Sequence, residues 1–109
     1  MPSTCPKPAE IWKVDLGIAG KVRWFIVVSR HDANAPRALS LAVPVTTKYR
    51  QSQYEVPLGK LPFFREESFA NIQGLTALEW ADFQNCAGKL LENLFEQVRQ
   101  ALRFVLELP

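Results

Sequence analysis

The chain is poor in the side chains that bind metals or form disulfides. Its 109 residues include one histidine, His31, and two cysteines, Cys5 and Cys86. These residues have neither the spacing of a zinc site nor the number needed for a disulfide framework. Two unpaired thiols are typical of a reducing compartment, so we expect a cytoplasmic protein. We also expect no bound metal ion and no cofactor.

Long apolar segments are missing as well. No apolar run approaches the roughly 20 residues that a membrane-spanning helix needs, and the N-terminus lacks the apolar stretch of a signal peptide. Prolines at positions 2, 6 and 8 predict an extended, poorly ordered lead-in over residues 1–8. The formal net charge of +2 permits an anionic partner without requiring one. We therefore expect no association with membranes.

The remaining composition is that of one ordinary globular domain. The length suits a single domain, expected over residues 9–109, and a hydrophobic content of 48% lets it bury a core. Segments rich in strand-forming residues predict strands over 10–16, 23–28, 38–46, 53–58 and 68–73, with a further short strand within 76–86.

One amphipathic helix is predicted at the C-terminus, after a break at Gly88. Its apolar positions recur at helical spacing: Leu91, Leu94, Phe95, Val98, Leu102 and Val105. Several short strands followed by one helix predict an α+β fold or a small barrel, with the helix covering a curled sheet.

The second and third predicted strands should form a hairpin. A polar connection with turn-forming residues, 29–37, joins them, and strands joined this closely usually pair antiparallel. The start of one strand then lies beside the end of the other, which brings Arg23 next to Thr46. A guanidinium beside a hydroxyl at the end of a sheet is suited to binding a phosphate.

Further polar and basic residues should converge on this same end of the hairpin, together with the aromatic rings of Trp24 and Tyr49. They are Lys21, Thr47, Lys48 and Arg50. Cations interleaved with aromatics suit a single-stranded nucleic acid, because its bases can stack while its phosphates are neutralised. The plainer interpretation is that the cations are solvated and Trp24 is a core residue. The residues alone slightly favour that plainer interpretation.

The order of these segments resembles the MazF/PemK toxins of bacterial toxin–antitoxin systems. The resemblance covers residues 9–108 and rests on five segments taken in order: 10–16, 21–29, 43–47, 54–58 and 67–75, completed by 88–90 and the final helix. The second of these segments contains Lys21-Val22-Arg23, and the third is Val43-Pro44-Val45-Thr46-Thr47.

The resemblance implies an SH3-like β-barrel of five to seven strands with a C-terminal helix. It further implies a homodimer that cuts single-stranded RNA through the 2′-hydroxyl without a metal ion and is inhibited by an antitoxin protein. Arg23 and Thr46 match the family's catalytic arginine and threonine, and Gln73 joins Lys21, Thr47, Lys48 and Arg50 as expected RNA-binding residues.

The chain departs from the family pattern at three places. Trp24 stands where the family usually has a proline, the first connection is short, and residues 84–87 carry no cation where many members are basic. These departures motivate an alternative: a catalytically impaired barrel that acts as an RNA- or protein-binding module. A purely structural interaction domain is a third, weaker interpretation, based on the aromatic content and modest charge.

Overall fold

The computed structural model describes residues 4–18 and 21–109, which form seven β-strands and one α-helix. The strands are β1 (Glu10–Asp15), β2 (Val22–Val27), β3 (Leu39–Thr46), β4 (Glu55–Gly59), β5 (Ser68–Asn71), β6 (Thr76–Glu79) and β7 (Phe83–Lys89). The helix, α1, is Glu92–Leu106, and two short 3₁₀ turns span Ile72–Gly74 and Trp80–Asp82. Residues 19 and 20 of the expected first turn, and residues 1–3 of the lead-in, lie outside the described residues.

All strand pairs are antiparallel, and β3 is the centre of the sheet. The strand order is β4-β5-β3-β2-β1-β7, and β6 also pairs with β3. Leu39 to Ala42 pair with β6, whereas Val45 and Thr46 pair with β5, so β3 leaves one partner for another along its length. β3 is thereby shared between two sets of strands, in keeping with the curled sheet predicted from the sequence. The α+β fold with an SH3-like barrel and a C-terminal helix is therefore the observed one.

The main core lies between one face of the sheet and α1. Ile26 and Val43, which are paired in the β2–β3 ladder, are completely buried there, and Phe95 and Val98 of the helix pack onto them in the same cluster. Charged residues of α1, such as Arg103, remain exposed on its other side. The amphipathic helix was thus predicted correctly, including its function of covering the sheet.

The opposite face of the sheet carries a smaller apolar cluster. Val14, Phe25 and Ala42 are buried there, and Trp12 and Phe83 pack around them with their rings edge-to-face at 5.7 Å. The alternation predicted for the first strand placed Trp12 and Val14 on this face. Ile11 is only 1% exposed on the helix side, so β1 buries apolar residues on both faces.

Several local boundaries differ from the sequence prediction. The predicted strand over 68–73 ends at Asn71, because Ile72–Gly74 forms a 3₁₀ turn. The segment 76–86 contains β6, a second 3₁₀ turn and most of β7 rather than one short strand. Gly88 does not mark the break before the helix, since it lies inside β7 and pairs with Ile11. In the lead-in, Cys5 and Pro6 are buried against the domain.

No helix in the described part of the chain combines the length and the apolar character needed to cross a membrane.

Candidate active site

The β2–β3 hairpin has the register that would bring Arg23 and Thr46 together. Phe25 lies opposite Pro44 and Val27 opposite Ala42, which confirms the predicted antiparallel pairing. The ladder ends at Pro44, a residue with no N–H to donate. Arg23 and Thr46 would lie opposite each other if the same register continued for two residues beyond the end of this ladder. The roles of these two residues remain predictions.

Arg23 lies at the start of β2 with an exposed side chain. It is opposite Val14 of β1, and its Nη1 donates a hydrogen bond of 3.3 Å to the backbone carbonyl of Val22. Because a guanidinium has five N–H donors, most of its donor capacity is available to an anion arriving from solvent.

Thr46 is the last residue of β3 and lies opposite Phe69 of β5. Its side chain is half-buried, and its Oγ1 accepts a hydrogen bond of 3.1 Å from the backbone N–H of Lys48. This contact uses an oxygen lone pair and leaves the hydroxyl proton free to be donated. Thr46 is therefore oriented by its own chain while it can still donate to a ligand oxygen.

Two cavities flank Thr46. The first, here called the polar cleft, has a volume of about 270 Å³. It is lined chiefly by charged and amide side chains, namely Thr46, Lys48, Arg50, Glu55, Asn71 and Gln73. Three of the residues predicted to bind RNA, Lys48, Arg50 and Gln73, thus meet in one place beside the predicted catalytic threonine.

The 3₁₀ turn after β5 forms one wall of the polar cleft through close packing at Gly74. A Cβ atom on Gly74 would lie 2.5 Å from Cγ of Pro44, so a larger residue fits only if the Pro44 ring or the turn shifts. Because Pro44 precedes Thr46 by two residues on β3, this contact keeps Gln73 beside the end of that strand.

Glu55 is a cleft residue that the sequence analysis did not single out. Its carboxylate accepts hydrogen bonds from the backbone N–H of Arg50 at 3.1 and 3.2 Å and from the N–H and Oγ of Ser52 at 3.3 and 3.0 Å. These bonds fold the β3–β4 loop back onto β4, with Gln51 in the left-handed region at a φ of 55°. Glu55 therefore fixes the loop that carries Lys48 and Arg50.

The second cavity, here called the aromatic pocket, has a volume of about 180 Å³ on the other side of Thr46. Its lining includes Trp24, Val45, Thr46, Phe64, Arg65 and Glu66. The ring of Trp24 lies edge-to-face with that of Phe64, with centroids 5.6 Å apart, and is tilted against that of Phe63, with centroids 6.0 Å apart. Trp24 also packs against the main core. The plainer interpretation of Trp24 as a core residue is therefore correct for part of its surface.

The remaining predicted site residues do not line the polar cleft. Thr47 lines the aromatic pocket instead, and Lys21 is exposed where the β1–β2 connection ends. Tyr49 stacks on Phe69 with centroids 4.4 Å apart and an interplanar angle of 5°. Arg23, at the start of the neighbouring strand, lines neither cavity.

The side chains that usually carry metal or thiol chemistry lie elsewhere. Within residues 4–18 and 21–109, no three His, Cys, Asp or Glu side chains come together as a metal site. His31 lines a separate cavity of about 560 Å³ at the start of α1. Burial raises the pKa of the Cys86 thiol, and the charge of Glu10 raises that pKa further, whereas backbone hydrogen bonds lower it.

Sequence and structure comparisons identify relatives along nearly the whole chain. Residues 7–106 match the family model described as PemK-like, MazF-like toxin of type II toxin-antitoxin system. No curated protein sequence matches the chain significantly. A mycobacterial endoribonuclease in complex with its cognate antitoxin is similar in structure, with a TM-score of 0.80 at 22% identity over 95% of this chain and 97% of that one.

Two further structures show the same likeness of fold. The Mycobacterium tuberculosis toxin MazF-mt6 superposes with a TM-score of 0.79 at 19% identity, over 92% of this chain and 98% of that one. MazE-MazF from Deinococcus radiodurans gives a TM-score of 0.79 at 18% identity, over 96% of this chain and 98% of that one.

Proposed function

The chain belongs to the PemK-like, MazF-like toxin family of type II toxin–antitoxin systems, and we propose that it is a toxin endoribonuclease that cleaves single-stranded RNA. The observation that carries the proposal is the arrangement around Thr46. Thr46 lines a polar cleft together with two cations, Lys48 and Arg50, and the β2–β3 pairing that ends at Phe25 and Pro44 supports a position for Arg23 near the same end of the sheet. Such a surface attracts a phosphodiester and offers hydrogen bonds to its oxygens.

The proposed reaction uses the 2′-hydroxyl of the RNA as nucleophile. Its oxygen attacks the adjacent phosphorus and its proton passes to solvent water, while the bond to the 5′-oxygen of the next nucleotide breaks and that oxygen takes up a proton from water. The products carry a 2′,3′-cyclic phosphate and a 5′-hydroxyl. Negative charge builds up on the phosphoryl oxygens in the transition state, where the Arg23 guanidinium stabilises it. Thr46 donates a hydrogen bond to a phosphoryl oxygen. Every group in this scheme comes from the protein, the RNA or solvent water, so no metal ion is required.

We further propose that an antitoxin protein inhibits the chain and that the chain acts as a homodimer. The mycobacterial endoribonuclease of similar fold is in complex with its cognate antitoxin, which supports the first of these proposals. Exposed apolar residues near the end of α1 support self-association, because Phe104 and Leu106 are each 48% exposed and Leu108 is 55% exposed. Sedimentation of the purified chain over a range of concentrations tests the dimer.

The decisive test is cleavage of single-stranded RNA by the purified protein in the presence of a chelator. We expect discrete products, and we expect none from an oligonucleotide with a single 2′-deoxy substitution at the cleaved position. Cleavage of the 2′-deoxy oligonucleotide would contradict attack by the 2′-hydroxyl. Cleavage that requires a divalent cation would contradict the metal-independent scheme.

A second candidate function is RNA or protein binding without catalysis. One observation favours it: Arg23 lines neither cavity, and the residue after it, Trp24, is held against the core. Under this alternative, RNA stays intact in the cleavage assay but still migrates as a complex in a native gel. Discrete cleavage products reject it.

A further inference from the structure

The aromatic pocket beside Thr46 has the shape and chemistry of a site for a planar ring. Trp24 and Phe64 supply two rings in edge-to-face contact at 5.6 Å, and Val45 adds an aliphatic wall. Its volume of about 180 Å³ is well below the roughly 300–1,000 Å³ typical of sites for drug-sized ligands. A single ring system fits this space, whereas a whole nucleotide does not.

The two rings are fixed before any ligand arrives. Trp24 is in β2, opposite Lys13 of β1, and its inner surface packs against the main core. The loop that carries Phe64 is held by a backbone hydrogen bond from the Phe64 N–H to the Leu61 carbonyl at 3.0 Å. It is also held by the Lys60 Nζ, which donates to the Phe64 carbonyl at 3.0 Å. A ring that enters the pocket therefore meets a rigid aromatic wall, which reduces the entropy lost on binding.

The entrance of the pocket is polar and is shared with the predicted catalytic residue. Thr46 lines both cavities, so a phosphate at its hydroxyl would lie between them. Arg65, Glu66 and Thr47 are exposed at the pocket and can hydrogen-bond the edge of a base or pair with a neighbouring phosphate. One cavity is thus lined mainly by charged and amide groups, and the other combines two aromatic rings with a polar entrance.

We propose that the aromatic pocket binds one nucleobase of the RNA, that of a nucleotide directly flanking the phosphate at Thr46. This inference rests on the proposed function and adds to it a base-binding site built on Trp24. The base contacts the Trp24 and Phe64 rings, while its sugar and phosphate stay outside, near Arg65. Trp24 stands where the family usually has a proline, and in this site it is a determinant of RNA binding.

The test compares Trp24→Ala with Trp24→Phe and with the matched control Trp12→Ala. Trp12 is also a half-buried tryptophan, but it packs against Phe83 on the opposite face of the sheet. Since stacking on an aromatic ring contributes appreciably per base, Trp24→Ala should weaken RNA binding roughly 5- to 150-fold. The effect should appear as a higher KM with kcat nearly unchanged. Trp24→Phe should recover part of the loss, and Trp12→Ala should leave KM unchanged.

Two further measurements keep the test independent of catalysis and of folding. The first is the Kd of each variant for a fluorescein-labelled random-sequence octamer whose 2′-hydroxyls are all methylated, so that it cannot be cleaved by the proposed route. The second uses the unmodified protein and an abasic nucleotide on either side of the cleaved position. We expect the abasic substitution to weaken binding more strongly on one side than on the other.

The outcomes separate this inference from the proposed function. Cleavage by the unmodified protein, with KM and Kd unaffected by Trp24→Ala or by either abasic position, would overturn the pocket assignment and leave the ribonuclease intact. Octamer binding that depends on Trp24 in a protein that does not cleave RNA would support the pocket and reject catalysis. A Trp24→Ala variant that binds RNA normally but loses inhibition by the antitoxin would assign the pocket to the antitoxin and overturn the inference.

Discussion

The helix-covered face of the sheet and the Thr46 end of the same sheet are built from opposite kinds of residue. On the covered face, Ile26, Val43 and Val98 are completely buried and carry no charge. At the Thr46 end, Arg23 and Lys48 are exposed and Thr46 is half-buried. The strands β2 and β3 contribute to both regions. The buried residues of these two strands therefore stabilise the fold, whereas the residues at the Thr46 end remain accessible to a ligand.

Because the two regions are separate, most residues proposed to act in RNA cleavage can be substituted without unfolding the protein. Trp24 is the exception, because it packs against the main core on one side and lines the aromatic pocket on the other. Substitutions on the helix-covered face should therefore lower the stability of the fold. Substitutions at the Thr46 end should instead lower the rate of RNA cleavage and leave stability unchanged.

The largest effect should come from truncating the helix side of the core. Phe95 is 5% exposed and belongs to the main cluster, so Phe95→Ala should lower the free energy of unfolding by about 3–5 kcal/mol. Urea titration of the variant measures the change. Phe104→Ala is the matched control, because Phe104 is 48% exposed near the end of the same helix and should cost much less. An equal decrease in the free energy of unfolding for the two variants would mean that Phe95 does not pack into the core as described.

The next effect concerns Arg23 and should leave stability unchanged. Removing a single preorganised donor to a charged transition state commonly lowers kcat by about 100- to 1,000-fold, and we expect this for Arg23→Ala. The readout is the rate of RNA cleavage, measured together with the urea midpoint. Arg37→Ala is the control, since Arg37 is an exposed arginine in the loop at the other end of the same hairpin. Full activity of Arg23→Ala would contradict the proposed mechanism.

Much of the helix-covered face could be predicted from the sequence. The apolar spacing around Phe95 and Val98 and the strand-forming runs around Ile26 and Val43 depend on local periodicity, which the sequence displays directly. The position of the helix break at Gly88 was wrong, because a glycine inside β7 gives the same local signal as a helix boundary.

The Thr46 end was less predictable, because its walls come from distant segments. The polar rim of one hairpin could be anticipated, but the hydrogen bonds that Glu55 accepts from Arg50 and Ser52 depend on how a loop folds. Asn71 reaches the polar cleft because β5 ends in a 3₁₀ turn, where the alternation had predicted a longer strand. The aromatic pocket likewise depends on Phe64, from a loop with no periodic pattern.

A smaller effect should follow from loosening the loop that Glu55 holds. Glu55→Gln keeps the size of the side chain but replaces an accepting oxygen with a donating NH₂ group, so some bonds to Arg50 and Ser52 are lost. We expect KM for RNA to rise by roughly 3- to 10-fold, in keeping with about 1 kcal/mol for a hydrogen bond, while kcat falls less. Glu67→Gln, at an exposed position in the β4–β5 loop, should leave KM unchanged. A fall in kcat with constant KM would instead indicate that the Glu55 carboxylate takes part in the chemical step.

The smallest effect should come from a single cation of the polar cleft, and it tests whether that cleft follows the RNA backbone at all. For single strands, log K falls with log salt by about 0.7 for each phosphate contact, so Lys48→Ala should reduce the steepness of the salt dependence by about that amount. The measurement is the Kd for a single-stranded RNA at several salt concentrations. Lys89→Ala serves as the control, because Lys89 is exposed at the end of β7 and lines the separate cavity at the start of α1. If Lys48→Ala weakens binding by the same factor at every salt concentration, then Lys48 does not contact a phosphate. The polar cleft would then recognise RNA through the amide groups of Asn71 and Gln73 rather than through the charge of Lys48.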